Sequence, residues 1–394
     1  MLAAFGDPGH AFPAIALGRE LAGRGHEVTL QTWRRWEEHV EREGMRFAPA
    51  PEYDVFPTLD RPLKPYVAAV RAARETVPLV RSLEPDAVVA DILTVAAAMA
   101  AEVEGRPWVT LVPHVLPTSE PGLPPYSVGA VLPRSGVGSR LWSLARPILS
   151  IGERRGATEL NGARARLGLP PFAHLHGGIS RRLALIATFP QLEYPRSEWE
   201  PWARVTGPLM WEQPFPDTDP PPGDEPLVLI APSTSQDPGQ RMLRAALEGL
   251  ADEPVRVLGS TNRRDPPEPL PVPRNARLVD WISYAKAMPG CAAVVCHAGH
   301  GTVVRALASG VPIVACPAAG DMAENSARVR WAGVGISLPR RFVTPRGIRL
   351  AVRRVLEEPA YSERARRLGE WATRHDGAAI AADALEASVA SGES

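Results

Sequence analysis

The sequence predicts an α/β fold of two doubly wound domains, each with a parallel sheet between layers of helices. Three observations predict it. The chain has 394 residues, more than a single hydrophobic core usually holds. Short apolar runs alternate with segments of helical periodicity, which is the βαβ pattern of a parallel sheet. A proline-rich stretch at residues 214–223 interrupts this alternation, which then starts again.

The first half of the chain shows the pattern from its beginning. Strands are predicted over residues 1–5, 28–32 and 87–90, and helices over residues 13–23, 36–43 and 95–104. A second stretch rich in proline and glycine, residues 117–138, is too long for an ordinary connection. It predicts either a loop that shapes a pocket or a disordered insert.

The second half repeats the pattern. Strands are predicted over residues 227–231, 255–258, 293–296 and 313–316, and helices over residues 239–250, 303–308 and 323–331. The tail over residues 359–390 is helical in pattern and is expected to pack back across the first domain. The predicted organisation is a first domain at 1–210, a linker at 211–225, a second domain at 226–360 and a returning C-terminal helix at 361–394.

Composition excludes some functions. Lys+Arg and Asp+Glu both number 44, so the chain has no charge excess of the kind that binds nucleic acid. Its three cysteines lie in apolar runs, which is typical of a reducing, cytoplasmic setting. The first residues lack the pattern of a signal peptide, and no apolar run is long enough to span a bilayer. We therefore expect a cytoplasmic protein without stable membrane association.

The most informative segment is the sequence CHAGHGT at residues 296–302, between a predicted strand and a predicted helix. Glycines let a backbone approach an anion, and the N–H groups and dipole of a helix N-terminus favour negative charge there. The segment is not a P-loop, because no Gly-Lys-Ser/Thr follows. It predicts a site for a diphosphate.

Two patterns resemble metal sites. His297 and His300 lie in a glycine turn without the helical His-Glu-x-x-His spacing or a nearby third ligand, so zinc is not expected. Asp217 and Asp219 match an Asp-x-Asp pattern, but their proline-rich surroundings favour a plain linker. We expect neither a metal nor a cofactor.

Several motifs together resemble a known family. They are DWI at residues 280–282, the turn at 297–302, ASGVP at 308–312, GDMAEN at 320–325, and, in the first half, GHAFP at 9–13 and LAGRGHEV at 21–28. Their order and spacing resemble those of family-1 nucleotide-sugar glycosyltransferases over essentially the whole chain, in particular actinobacterial enzymes that act on natural products. The resemblance implies a GT-B fold, with two facing Rossmann-like domains.

The resemblance also implies a mechanism. His10 is expected to be the general base that removes a proton from the acceptor hydroxyl, and Asp91 to orient it, in an inverting transfer without metal. For a histidine taken alone, a capping or solvated role is the better reading, but its position in a glycine-rich turn after the first strand favours the base. Asp91 ends a predicted strand, where ligands collect in such folds, and its alternative role is to cap the helix that starts near Thr94.

The donor is expected to be a UDP- or dTDP-sugar, bound by the second domain. Trp281 would stack on the base, Ile282 would contact it through the backbone, and Asp321 would bind sugar hydroxyls. Met322 stands where the family commonly has glutamine, and Glu324 is expected to be exposed. The diphosphate is expected to lie against the turn and a hydroxyl-bearing loop, whose alternative role is a helix cap; these residues are Ser233, Thr234, Ser235, His297, Gly299, His300, Gly301 and Thr302.

The acceptor is expected to be small and hydrophobic and to bind the first domain. Aromatic residues are the candidates to line a pocket near His10, and they are Phe56, His114, Tyr126 and Trp142, together with Tyr53 and Tyr66. The sequence leaves a monomer and a homodimer equally open.

Three other functions are compatible with parts of this pattern. A nucleotide-sugar 2-epimerase shares the fold, but the pairing of His10 with Asp91 argues against it. A transferase for a membrane-bound lipid would need an exposed apolar and basic patch on the first domain, and we expect none. A non-catalytic auxiliary protein would have little reason to keep both the predicted dyad and the phosphate turn.

Overall fold

The protein is described by a computed structural model over residues 1–51, 65–118, 120–126, 128–173, 178–233 and 237–391. Its first half forms a sheet whose seven strands are β1 (Leu2–Ala3), β2 (Thr29–Thr32), β3 (Arg46–Pro49), β4 (Val88–Asp91), β5 (Trp108–Val112), β6 (Ala184–Ile186) and β7 (Ala203–Val205). The helices of this half are α1 (Pro8–Gly23), α2 (Glu37–Arg42), α3 (Pro65–Leu83), α4 (Val95–Val103) and α5 (Gly136–Ala165).

The second half forms another sheet, from β8 (Leu227–Ala231), β9 (Arg256–Ser260), β10 (Ala276–Val279), β11 (Ala293–Cys296), β12 (Ile313–Ala315) and β13 (Gly335–Ser337). Its helices are α6 (Arg241–Gly249), α7 (Tyr284–Ala287), α8 (His300–Ala308), α9 (Met322–Ala332), α10 (Pro345–Glu357), α11 (Pro359–Arg374) and α12 (Gly377–Ala390). Short 3₁₀ turns lie at Arg34–Trp36, Pro190–Leu192, Met288–Gly290 and Arg340–Phe342.

Both sheets are parallel and wound in the same way. Their strand orders are β3-β2-β1-β4-β5-β6-β7 and β10-β9-β8-β11-β12-β13. The central strands β8 and β11 are buried along their whole length, which explains why they read as unbroken apolar runs. The strand order reverses between β1 and β4 and again between β8 and β11, and ligands bind beyond the strand ends at such points. The predicted pair of doubly wound domains is confirmed, and their exact boundaries stay a prediction.

The predicted return of the C-terminal helix is also confirmed. Helix α12 packs against α1, and its Ala381 and Leu385 belong to the core of the first domain. Arg24, just after α1, bonds to Asp383 at 2.6 Å and to Glu386 at 3.0 Å. The last helix of the chain therefore ties the second half to the first.

Helix α1 begins five residues earlier than predicted, at Pro8 instead of residue 13. Asp7 is its N-cap, and the backbone carbonyl of Asp7 accepts the first helical bonds from His10 and Ala11. Pro13 lies inside the helix, where its ring removes one N–H but leaves the first turn intact. His10 is therefore held in the first turn of a helix rather than in a flexible turn.

The described part of the stretch at residues 117–138 packs against both domains, Tyr194 being in the first and Ala323 in the second. The Tyr194 hydroxyl donates to the carbonyl of Ala130 at 3.0 Å, and a side chain added at Gly129 would meet Ala323 of α9 at 2.8 Å. This packing favours a loop that shapes a pocket. Among the described residues, no helix is long and apolar enough to cross a membrane.

The long helix α5 was not predicted, and it corrects one expectation. It exposes a row of apolar side chains on the first domain, Val137, Leu141, Leu144, Ile148 and Ile151, in a segment that also carries several arginines. The expectation that this domain has no apolar and basic patch was therefore wrong. Apolar spacing alone could not reveal the patch, because a buried helix face shows the same periodicity.

Candidate active site

His10 and Asp91 meet where the first sheet reverses its order. β1 and β4 are neighbouring strands, α1 places His10 beyond the end of β1, and Asp91 is the last residue of β4. The Nδ1 of His10 lies 2.8 Å from Oδ2 of Asp91, whose side chain is fully buried. A carboxylate can only accept, so Nδ1 carries the proton and Nε2 holds the basic lone pair.

The second carboxylate oxygen of Asp91 has a different task. Oδ1 accepts the backbone N–H of Leu93 at 2.9 Å, which shapes the turn between β4 and α4. Thr94 is the N-cap of α4, and its hydroxyl donates to the backbone carbonyl of Asp91 at 2.9 Å rather than to the carboxylate. One carboxylate therefore both fixes the turn and orients the imidazole.

The pKa of His10 reflects two opposing influences. Burial lowers it, but the charge of Asp91 and its hydrogen bond outweigh burial, with smaller contributions from Asp321 and Asp7. The net result is a pKa above the ordinary value for histidine. Because Asp321 belongs to the second half of the chain, its effect also places His10 beside the second domain.

The predicted phosphate turn feeds directly into α8. Gly299 is the N-cap of this helix, and Ala298 takes up the left-handed conformation, with φ +61°. Gly301 is exposed in the first turn, and Thr302 beside it is half-buried. A Cβ added at Gly299 or at Gly301 would meet no protein atom within 4 Å. Open space therefore lies beside the helix N-terminus, where a diphosphate would fit.

His297 is fixed through both of its ring nitrogens. The backbone N–H of Ser233, beyond β8, donates to Nδ1 at 2.9 Å, and Nε2 lies 3.2 Å from Oδ2 of Asp237. Since Nδ1 accepts, Nε2 carries the proton and donates to the carboxylate. Asp237 also accepts the backbone N–H of Met242 in α6 at 3.1 Å. His297 thus joins the ends of β8 and β11, the reversal point of the second sheet.

Trp281 lies in a small aromatic group at the end of β10. The Arg263 guanidinium is 4.9 Å from the centre of its ring, and Phe215 of the linker meets it edge-on at 6.4 Å. The indole Nε1 is buried and has no partner among the described residues. Ile282 is buried in the core beside it. The Arg263 guanidinium adds a positive charge beside the ring on which a base is expected to stack.

Asp321 precedes α9 and lies on the cleft. Its Oδ2 accepts the side-chain amide of Asn325 at 3.0 Å, and the same amide nitrogen donates to the carbonyl of Ala298 at 3.0 Å. Asn325 therefore connects the predicted sugar-binding residue with the phosphate turn. Met322 is buried at the start of the helix.

His300 connects the two domains. It is buried, and its Nε2 lies 3.2 Å from the carbonyl of Ala187, which follows β6 of the first sheet. Burial lowers its pKa, which keeps the ring neutral. The side chain of His300 therefore contacts the first domain. At this position only the backbone of α8 remains available to a diphosphate.

Among the acceptor candidates, His114 and Tyr126 lie together on the cleft. Their rings stack with centres 5.2 Å apart. Burial lowers the pKa of His114 to about 4, with further effects from His300, Asp321 and His10, so all four groups lie close together. Trp142 is half-buried on α5. Phe56, Tyr53, Thr234 and Ser235 lie outside the described residues.

A buried ionic group joins the domains, and it corrects another expectation. Glu324 on α9 was expected to be exposed but is fully buried. Its Oε1 binds Arg328 at 2.8 Å, and the guanidinium also stacks on Tyr194 at 3.4 Å and lies 3.8 Å from Glu193 of the first domain. Burial raises the pKa of Glu193, and the nearby Arg328 opposes that change. The face of α9 that carries Glu324 and Arg328 therefore packs against the first domain.

The linker carboxylates have ordinary surface partners. Asp217 lies 2.6 Å from Lys286, and the backbone carbonyl of Asp219 accepts from Arg277 at 2.9 Å. Within the described ranges, no group of three His, Cys, Asp or Glu side chains is arranged to hold a metal ion.

Sequence reasoning missed Asp237, Arg263 and the partnership of Arg328 with Glu193. Asp237 and Arg263 both have positive φ, +62° and +59°, in loops that follow strands β8 and β9. The position of these loops beyond strand ends was the one signal that pointed to them. No local pattern indicates Glu193, because its partner is 135 residues away along the chain.

Family models match both halves of the chain. The glycosyltransferase family 28 N-terminal domain matches residues 1–109, and the erythromycin biosynthesis protein CIII-like C-terminal domain matches residues 245–386. The chain is 31% identical to 4'-demethylrebeccamycin synthase of Lentzea aerocolonigenes over 97% of both proteins. It is 28% identical to O-mycaminosyltylonolide 6-deoxyallosyltransferase of Streptomyces fradiae over 94% of this chain and 92% of that one.

Solved structures agree in fold. The glycotransferase of kitacinnamycin superposes with a TM-score of 0.77 at 23% identity, covering 98% of this chain and 97% of the other. CalG4, the calicheamicin glycosyltransferase, superposes with a TM-score of 0.75 at 25% identity, covering 99% and 98%. With two parallel sheets of this topology and a relative matched along nearly its whole length, the chain belongs to the family-1-like natural-product glycosyltransferases of GT-B fold.

Proposed function

We propose that this glycosyltransferase moves a hexose or deoxyhexose from a UDP- or dTDP-sugar to a hydroxyl of a small hydrophobic acceptor, with inversion and without metal. The observation that carries this proposal is the His10–Asp91 pair, whose Nδ1–Oδ2 distance is 2.8 Å. It leaves Nε2 as a base beside Asp321 of the second domain.

The chemistry is a single displacement. Nε2 of His10 takes the proton of the acceptor hydroxyl while the oxygen attacks the anomeric carbon. The bond from that carbon to the diphosphate breaks, and the nucleoside diphosphate leaves with the electron pair. Base and diphosphate site belong to different domains, which suits attack from the side opposite the leaving group and hence inversion.

The leaving group gains negative charge as the bond breaks. The N-terminus of α8, with open space at Gly299 and Gly301, supplies N–H donors and a dipole of the right sign for that charge. The Arg263 guanidinium beside Trp281 adds a positive charge near the expected base. These groups support transfer without a metal ion.

His114 and Tyr126 support an aromatic acceptor pocket. Their stacked rings adjoin His10, and burial keeps His114 neutral, as its pKa of about 4 requires. An uncharged aromatic wall suits an apolar acceptor.

We also propose a cytoplasmic setting, supported by three unpaired cysteines, of which Cys296 and Cys316 are buried.

The first experiment is a thermal-shift titration with UDP, dTDP, their glucose conjugates, GDP and NAD. At about 100 times its Kd, a ligand that binds only the native state stabilises it by about 2.7 kcal/mol. UDP or dTDP should raise Tm by several degrees, and the preferred one identifies the donor. A response to NAD alone, or to none of the nucleotides, contradicts the proposal.

The second experiment separates catalysis from binding. His10→Ala should abolish transfer and leave the Kd of the nucleotide unchanged, because base and nucleotide site lie in different domains. Loss of nucleotide binding in this variant would contradict that division. EDTA should leave the rate unchanged, and inhibition reversed by Mg²⁺ or Mn²⁺ would overturn the metal-free mechanism.

A further inference from the structure

Helix α5 carries an apolar stripe that no part of the described chain covers. The stripe consists of Val137, Leu141, Leu144, Ile148 and Ile151, which are 62–77% exposed. Their spacing alternates between four and three residues, so all five lie on one face of the helix. At about 1.5 Å per residue the stripe is about 21 Å long. Exposed apolar surface that is contiguous over this length is typical of an interaction site.

Positive charges outnumber negative ones around the stripe. Residues 134–155 contain five arginines and one glutamate, a formal charge of +4 in a chain whose net charge is zero. At about 100° per residue, Arg140 and Arg154 lie along one edge of the stripe and Arg155 continues it, whereas Arg146 and Glu153 are on the opposite side. Arg155 is 83% exposed in its pair with Glu159. The face therefore suits a partner that is apolar and anionic.

A second copy of the chain does not fit that requirement. Two α5 helices packed through their stripes would bring two segments of charge +4 together. Leu144 at the middle of the stripe is 77% exposed, so its side chain stands out from the surface of the helix. A bilayer interface needs no complementary shape, and arginine stems reach its headgroups while apolar neighbours enter the acyl boundary.

We propose that this face of α5 binds the surface of an anionic lipid bilayer. The contact is reversible, since one amphipathic helix without a lipid anchor binds only moderately. The first turns of α5 also touch the loop that carries Tyr126, because a side chain added at Gly122 would lie 3.5 Å from Ser139. Binding of α5 to the bilayer therefore holds the acceptor side of the cleft at the membrane, where apolar acceptors concentrate. This consequence rests on the proposed function.

The test is flotation of the full chain with phosphatidylcholine vesicles, with and without about one third phosphatidylglycerol. The protein should float with the anionic vesicles, and raising NaCl from about 0.1 M to about 0.5 M should release it. Leu144→Asp combined with Ile148→Asp should lower the partition coefficient at least about tenfold. Arg140→Glu combined with Arg154→Glu should lower it on anionic vesicles.

The matched control is Val272→Asp combined with Leu350→Asp, two apolar residues of the second domain that are 49% and 51% exposed. This variant should float like the wild type. The proposal is overturned if the wild type does not float with anionic vesicles. It is also overturned if the control variant loses as much binding as the variant with Leu144→Asp and Ile148→Asp. It is also overturned if Leu144→Asp converts a dimer into monomers, which would make the stripe a self-interface. The nucleotide thermal shift is measured separately, so failure here leaves the proposed function standing.

Discussion

Asp91 holds the imidazole of His10 with one carboxylate oxygen and the backbone of Leu93 with the other. The distances are 2.8 Å from Oδ2 to Nδ1 and 2.9 Å from Oδ1 to the amide nitrogen. From the sequence, orientation of a base and capping of a helix looked like competing uses of one side chain. The structure gives each oxygen its own partner, so the turn after β4 and the base are fixed by the same residue.

The pH dependence of transfer tests this arrangement. Transfer needs neutral His10, so kcat/KM should rise with pH through a pKa above about 6.5, the ordinary value. Asp91→Asn removes the charge that raises the pKa, while burial still lowers it, so the acid limb should move to lower pH. We also expect kcat to fall on the order of 10²-fold or more, because the imidazole is no longer held in one tautomer. An acid limb that stays in place would contradict the role given to Asp91.

Substitution of Gly301 separates folding from ligand binding. Gly301→Ala meets no protein atom within 4 Å, and alanine in a helix should stabilise the fold by about 0.5–1 kcal/mol. The added methyl group occupies the space expected for the diphosphate, so the Kd of UDP or dTDP should rise at least about tenfold. The matched control is Gly162→Ala, also unobstructed, on α5. Nucleotide affinity that is equal in both variants would place the diphosphate elsewhere.

Asp237 is expected to act on the nucleotide through His297. Burial raises the pKa of Asp237, but its bonds to His297 and to the N-terminus of α6 outweigh burial and bring it to about 2, so it is ionised at neutral pH. Asp237→Ala should raise the donor KM about tenfold and change kcat little. Asp237→Asn, whose amide oxygen still accepts from Nε2, should recover much of the affinity.

The control for that prediction is another helix cap. Asp376 caps α12 through the backbone N–H groups of Ala378 and Ala379. Asp376→Ala should lose a similar stability, about 1 kcal/mol, without any change in the donor KM. If both variants raise the donor KM alike, Asp237 acts on stability alone.

Arg328 is expected to be essential for the domain interface. Arg328→Met removes the cation that lies between the buried carboxylates of Glu193 and Glu324, which should cost about 3–5 kcal/mol in a urea titration. Burial already raises the pKa of Glu193, so the penalty should shrink as the pH falls and the carboxyl becomes protonated. Adding Glu324→Gln should restore part of the stability.

An exposed ion pair provides the comparison for Arg328. Arg366 and Glu370 are 70% and 59% exposed and 3.8 Å apart, and Arg366→Met should change stability by less than about 1 kcal/mol. Equal losses in the two variants would show that the buried group does not hold the domains together.

The sequence determined the fold class and the nature of the site's parts. Apolar runs such as residues 227–231 and 293–296 predicted strands with the bounds that the structure shows, because a strand buried on both faces must be apolar throughout. The glycine turn at 297–302 predicted a helix N-terminus open to an anion. These are local properties, in which neighbouring residues decide the conformation together.

Only the tertiary structure decided which distant residues meet. Strand order brings His10 to Asp91, 81 residues away, and His297 to Asp237, 60 residues away. The same helical periodicity describes a buried face and an exposed one, so packing alone determines that Glu324 is buried and that Leu144 is exposed. Local sequence sets the conformation of each segment, whereas contacts between segments depend on how the two sheets place them, and no short pattern records that arrangement.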